Sequence, residues 1–221
     1  MRAYIISLSN VPASTKTALN LRNSLMQYGI DSELYDGIDG HSAKMMVIKE
    51  HRNPHPIMHD GNLITETHRQ RISKPGVIGC FYSHYHLWKK CVELDEPIMI
   101  FEDDAVLTRD FIPVDWDGVL LLCMGFEWKV SHGYLKYLEN PTGNSRVIKY
   151  KGTCIPGAVG YAIKPNAART LCEVYADTYD AADLAINTNN VPVYHHSHLM
   201  GRALVKADGK VSMTKTNYWG N

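Results

Sequence analysis

The stretch PIMIFEDDAVL, residues 97–107, sets Glu102, Asp103 and Asp104 directly behind a run of apolar strand formers. Successive side chains on a strand point to opposite faces, so adjacent carboxylates cannot all pair with one neighbour, and burying one unpaired is costly. The pattern predicts that the strand ends at the triplet. In open α/β sheets the crevice beyond the carboxyl ends of the strands is where ligands bind, and hard divalent cations take oxygen ligands of this kind. The plain alternative is a solvated loop, or a carboxylate capping the next helix.

The elements that must position the triplet follow from periodicity. AYIISL reads as a buried strand, and residues 14–28 carry Ala18, Leu21, Leu25 and Met26 at helical spacing, with Gly29 as a stop. DSELYDGIDG gives a second strand ending in Asp-Gly turn chemistry, which completes a β-α-β opening. Residues 41–75 show no clear period and read as a long, irregular excursion over one face, rich in histidine and in basic residues such as Lys49, Arg52, Arg69, Arg71 and Lys74. GVIGCFYSHYHLWKKCVEL resumes as a helix apolar around most of its circumference, hence buried, and leads into the strand IMIF. WDGVLLLCMG supplies another strand, SHGYLKYLENPTGNSRVIKYKG has hairpin character, and GAVGYAIKPNAARTLCEVY reads as a strand entering a helix at Pro165. The expected architecture is a single α/β domain, residues 1–221, with a mainly parallel central sheet flanked by helices.

Composition narrows the function classes. Basic and acidic side chains balance at 23 each, so the chain as a whole lacks the excess that holds nucleic acid by charge alone, and any polyanion must meet a local patch. The five cysteines form no C-x-x-C pair, which argues against a disulfide framework and against a cysteine-ligated zinc site; they read as core residues of a chain in a reducing cytoplasm. The short apolar run after Met1 is not a signal-peptide core, and no stretch approaches the roughly 20 apolar residues of a membrane span.

The block GVIGCFYSHYHLWKKCVELDEPIMIFEDDAVLTRDF resembles the central block of glycosyltransferase family 25, in which a Gly-x-x-Gly-Cys-x-x-Ser-His helix precedes a strand ending in Glu-Asp-Asp. YIISLSN, the helix containing Arg22, ELYDGIDG, WDGVLLL, GAVGYAIKPNAARTL and AADLAI are similar to further parts of that family's pattern, while residues 41–75 and the last twenty or so are unmatched. The resemblance implies a GT-A-like Rossmann-type fold, a nucleoside-diphosphate sugar donor and a D-x-D-type site for Mn²⁺ or Mg²⁺. On that implication Asp104 is the expected direct metal ligand, with Glu102 touching ribose or a metal-bound water and Asp103 beside it. His195, His196 and His198 of YHHSH offer a third ligand, His196 and His198 foremost, since imidazole suits Mn²⁺; a surface turn is the alternative. Ser83 and His84 are candidates for sugar or diphosphate contact, Arg22 for base or phosphate, and Asp39 for base or ribose. Transfer with inversion needs a base for the acceptor hydroxyl; Asp183 is the candidate and Asp180 the reserve, with a carboxylate at a helix N-terminus as the alternative.

The acceptor expected from the resemblance is a lipopolysaccharide-type glycan. Two locally basic segments, 41–75 with Arg69 and Arg71 and the tail with Lys206 and Lys210, can bind phosphates. A phosphorylated glycan core would use them, and so would duplex DNA carrying a hydroxylated or hydroxymethylated base, as a phage-type enzyme would modify. A catalytically silent glycan-binding module is the reading from another class, disfavoured by the intact acidic triplet.

Overall fold

The computed structural model describes residues 1–58, 60–124, 139, 145–155 and 157–203. β1 (Ala3–Ser7), α1 (Pro12–Gln27) and β2 (Ser32–Asp36) make the expected opening, with β1 and β2 parallel. Pro12 begins α1 where a missing N–H costs nothing.

Residues 41–75 depart from the expected irregular run, because they hold two helices. α2 (Gly40–Glu50) is capped by Asp39; after the short strand β3 (Asn53–Pro54), α3 (Glu66–Ile72) is capped by Thr65. The period of α2 is blurred in the sequence because Met45 and Ile48 lie on its outer face, 55% and 66% exposed. Arg52 pins the segment to the body. Its guanidinium donates to the Tyr175 carbonyl at 2.6 Å and to Glu50 Oε2 at 2.7 Å, and sits 4.4 Å from the centroid of the Tyr85 ring. It therefore serves packing and is no part of an exposed basic patch.

α4 (Pro75–Leu94) is buried on most sides, as its apolar circumference predicts. There follow β4 (Ile98–Glu102), β5 (Ala105–Leu107), β6 (Val119–Leu121), β7 (Cys123–Met124), β8 (Val147–Lys149), β9 (Gly160–Ile163), α5 (Pro165–Val174), β10 (Thr178–Tyr179), α6 (Ala182–Ala185), β11 (Val193–His196) and β12 (Gly201–Ala203). The hairpin read from residues 131–152 falls mostly outside the described residues, and its last part, β8, pairs antiparallel with β11.

The main sheet has seven strands in the order β2-β1-β4-β9-β6-β11-β8. β2, β1, β4, β6 and β11 share one direction, while β9 and β8 oppose it. A smaller sheet, β5-β12-β7, continues from the end of β4. Both faces of the main sheet are covered, so its central strands β1, β4, β6 and β9 are apolar along most of their length and alternate between two cores. Tyr4, Ile98, Ile100, Val119, Leu121, Tyr161 and Ile163 join the core under α4 and α5. Ala3, Ile5, Met99, Phe101, Leu120 and Ala162 join the one under α1. Among the described residues no helix is long and apolar enough to cross a membrane.

None of the five cysteines forms a disulfide; Cys91 and Cys123 are buried, but Cys80, Cys154 and Cys172 are only half-buried. The expectation of five core thiols holds for two. Burial raises the Cys91 thiol to about 12 and the Cys172 thiol to about 11, which keeps both protonated and slow to react at neutral pH.

Gly79 lets α4 meet the Asp36–Asp39 turn. A Cβ there would collide with the Ile38 carbonyl oxygen. Gly79→Ala is expected to cost about 1–3 kcal/mol, as overpacking against backbone does, and urea denaturation measures it. An unchanged midpoint would mean that helix and turn separate freely.

Candidate active site

The strand alternation explains the acidic triplet. Glu102 follows Ile98 and Ile100 in parity, so it points to the α4 side, where it meets Cys80 and His84, residues one helical turn apart on one face. Cys80 donates its S–H to Glu102 Oε1 at 3.5 Å, and His84 Nε2 lies 3.4 Å from the same oxygen. Asp103 turns to the α1 side, where Thr17 Oγ1 donates to its Oδ2 at 3.4 Å. Asp104 completes the two-residue turn that carries the chain from β4 into β5. Glu102 and Asp103 are thus sent to opposite faces of the sheet.

Asp183, on α6, belongs to the same group. The Cys80 thiol is pushed well up by its burial first, and then by the charges of Glu102, Asp183 and Asp104. α6 packs against α4, so carboxylates from two remote parts of the chain are brought to the same end of α4. That convergence at the carboxyl end of β4 marks the candidate site.

His84 and Ser83 stand behind it. His84 is fully buried: its Nδ1 lies 2.8 Å from the Tyr161 hydroxyl, which also accepts from Trp88 Nε1 at 2.8 Å. Ser83 accepts from the Ile38 N–H and donates to the Gly79 carbonyl, each at 2.8 Å. Ser83, read as a candidate ligand contact, is spent on holding α4 to its neighbours, whereas His84 spends only its Nδ1 and turns Nε2 toward Glu102. Asp39, the other candidate from the same turn, accepts from His41 N, Ser42 N and Ser42 Oγ, bonds that hold its carboxyl below the usual range. Arg22 is exposed on α1.

Asp180, the reserve base, is buried; its Oδ1 accepts from Ala181 N at 2.7 Å and lies 3.6 Å from His68 Nε2. His68 is on α3, so the helix bearing Arg69 and Arg71 borders the segment leading to Asp183. Both arginines are exposed, with Arg69 Nε 3.7 Å from Glu66 Oε2. Lys206 and Lys210 lie outside the described residues.

The structure does not bring the YHHSH histidines to the carboxylates. β11 stands three strand spacings from β4, about 14 Å at about 4.8 Å per spacing. His196 Nε2 donates to the Ile112 carbonyl at 2.9 Å and its Nδ1 accepts from His198 N at 3.0 Å, so both nitrogens are engaged. His198 Nε2 sits 3.7 Å from Asp110 Oδ1, at the opposite end of β5 from Asp104. His195 is buried in register with Leu121 and Ile148, and burial lowers its imidazole from 6.5 to about 4. A folded-state value below the unfolded one gives stability that is present above pH 6.5 and lost as pH falls toward 4, on the order of 3 kcal/mol here. Thermal midpoints should therefore drop across that window, and His195→Leu should flatten the drop; an identical slope in the variant would contradict the assignment.

The model of glycosyltransferase family 25 (LPS biosynthesis protein) matches residues 1–114, just over half of the 221. The chain belongs to glycosyltransferase family 25. No curated protein gives a significant match. The family match includes the triplet and its supports on α1 and α4, and stops before Tyr161 and Asp183. Of the site residues, Cys80, Thr17 and Tyr161 escaped the reading of the sequence. The spacing of Cys80 and His84 was a usable signal; the contact of His84 with Tyr161, made across neighbouring elements, left none.

Proposed function

We propose that this family 25 member moves a sugar from a nucleoside-diphosphate sugar to an acceptor hydroxyl of a lipopolysaccharide-type glycan, on a GT-A-like Rossmann domain. The supporting observation is the Glu102–Asp103–Asp104 triplet at the carboxyl end of β4, with α6, which carries Asp183, packed against the neighbouring α4. Oxygen donors in that place suit Mn²⁺ or Mg²⁺, with Asp104 as direct ligand and Glu102 and Asp103 beside it. When bound, such an ion neutralises the charge that a departing diphosphate develops. Asp183 takes the proton of the attacking hydroxyl, in a transfer with inversion. Asp180, tied to the Ala181 N–H, fixes the start of α6 and so the direction of Asp183. Ser9, whose N–H and Oγ both bond Asp36 at 3.0 Å, ties the loop after β1 to the end of β2, beside the switch point between β1 and β4 where the nucleoside would sit.

The exposed arginines of α3 favour an acceptor that carries phosphate. Charge reversal at Arg69 and Arg71, or at Lys206 and Lys210, is expected to raise acceptor KM about tenfold or more with kcat nearly unchanged, because remote phosphate contacts hold ground and transition states alike. Loss of donor hydrolysis instead would place these residues in the donor site. The acceptor itself is tested by offering phosphorylated glycan core and base-hydroxylated duplex DNA side by side over a range of salt. Transfer to the glycan supports the proposal. Transfer only to duplex, falling steeply with salt, makes the chain a DNA glycosyltransferase; turnover of no donor at all makes it a silent binding module.

A further inference from the structure

We propose that Cys80, His84 and Glu102 form a site for a thiophilic divalent cation of the zinc type, next to the oxygen-ligand site at Asp104, with Glu102 on the border of the two, and argued without the sugar-transfer reading. A sulfur, a nitrogen and a carboxylate oxygen from these residues all lie within 4.8 Å of one another. Glu102 Oε1 is 3.5 Å from Cys80 Sγ and 3.4 Å from His84 Nε2. For a tetrahedral ion with bonds of about 2.0–2.1 Å to oxygen and nitrogen and about 2.3 Å to sulfur, these edges come to about 3.5 and 3.4 Å. Two of the three donor–donor edges already stand near that spacing, and the third, from Cys80 Sγ to His84 Nε2, is within 4.8 Å.

His84 supplies the independent sign. Its side chain is fully buried, and Nε2, aimed at the cluster, makes no hydrogen bond despite its approach to Glu102. Buried polar atoms are nearly always satisfied, and a bound ion satisfies this one. The ring is oriented from its other side, as ligating imidazoles are, by Tyr161, whose hydroxyl is itself held by Trp88. Binding uses the Nε2 lone pair, so the ring proton resides on Nδ1 and the Tyr161 oxygen accepts from both neighbours. The Cys80 thiol gives up its proton, one released to solvent per ion bound. Glu102 and Cys80 are half-buried, which leaves the cluster within reach of solvent for a fourth ligand. Asp104 and Asp183, close enough to act on the Cys80 thiol, add attraction for a cation. Thiolate and imidazole together select Zn²⁺ or Co²⁺ over Mg²⁺. The absence of a C-x-x-C pair does not bear on this arrangement, which needs one cysteine and a histidine four residues on.

The test titrates the chelator-treated full chain with Co²⁺ alone, following the thiolate-to-cobalt absorption band, and follows its thermal midpoint with Zn²⁺. The expected result is one equivalent of cobalt per chain with a thiolate band, and a midpoint raised by Zn²⁺. Cys80→Ala removes the band, and His84→Ala weakens binding at least tenfold. Asp104→Asn leaves the band in place, which separates this site from the proposed donor cation. Absence of a thiolate band in the wild-type chain overturns the proposal, and so does a band that persists unchanged in either the Cys80 or the His84 variant.

Discussion

Asp104→Asn lowers sugar transfer by at least about 100-fold while the protein keeps its fold. The substitution preserves shape and removes the charge that a divalent cation or a departing diphosphate needs opposite it, and losing one such electrostatic contact typically costs about 10²–10³ in kcat. Asp104 is half-buried in the two-residue turn between β4 and β5, and Asn keeps its shape, so the variant should match the wild type in circular dichroism and stay within about 1–2 kcal/mol of it in urea denaturation. The check is initial rate of transfer at saturating donor, with folding measured on the same preparation. Full activity in a folded variant would remove Asp104 from the site.

Asp183→Asn should produce the second large effect, a fall of about 10²–10⁴ in kcat with acceptor KM little changed, as expected when a general base is lost and binding contacts remain. Asp180→Asn offers the contrast. It loosens the start of α6 and should lower stability, because Asp180 is buried and bonded to the Ala181 N–H. If the Asp180 variant loses kcat and the Asp183 variant does not, the base and its support must be exchanged.

The parts of this molecule that the sequence reveals are those whose reasons are local. β1 and β4 are apolar runs, and α4 has an apolar circumference because it is packed on most sides. The acidic triplet is conspicuous because no buried strand tolerates it, and period-2 alternation already sends Glu102 and Asp103 to opposite faces. What stayed hidden depends on long-range packing. α2 shows Met45 and Ile48 to solvent, which disguises its period, and Arg52 looks like a surface cation until Tyr85 and the Tyr175 carbonyl are placed around it. Asp39 and Ser83 have the residue types of ligand contacts, yet they serve as a helix cap and as a tie to the Ile38 backbone. The YHHSH histidines read as spare metal ligands because sequence cannot count the strands between β11 and β4.

The most direct measurement is release of nucleoside diphosphate from a panel of nucleotide sugars, with Mn²⁺ or Mg²⁺ supplied and then withdrawn by chelator. A hard-cation site at Glu102–Asp104 predicts that at least one donor is turned over, that chelation stops it, and that restored Mn²⁺ or Mg²⁺ revives the wild type but not Asp104→Asn. Release that continues undiminished in excess chelator would contradict it.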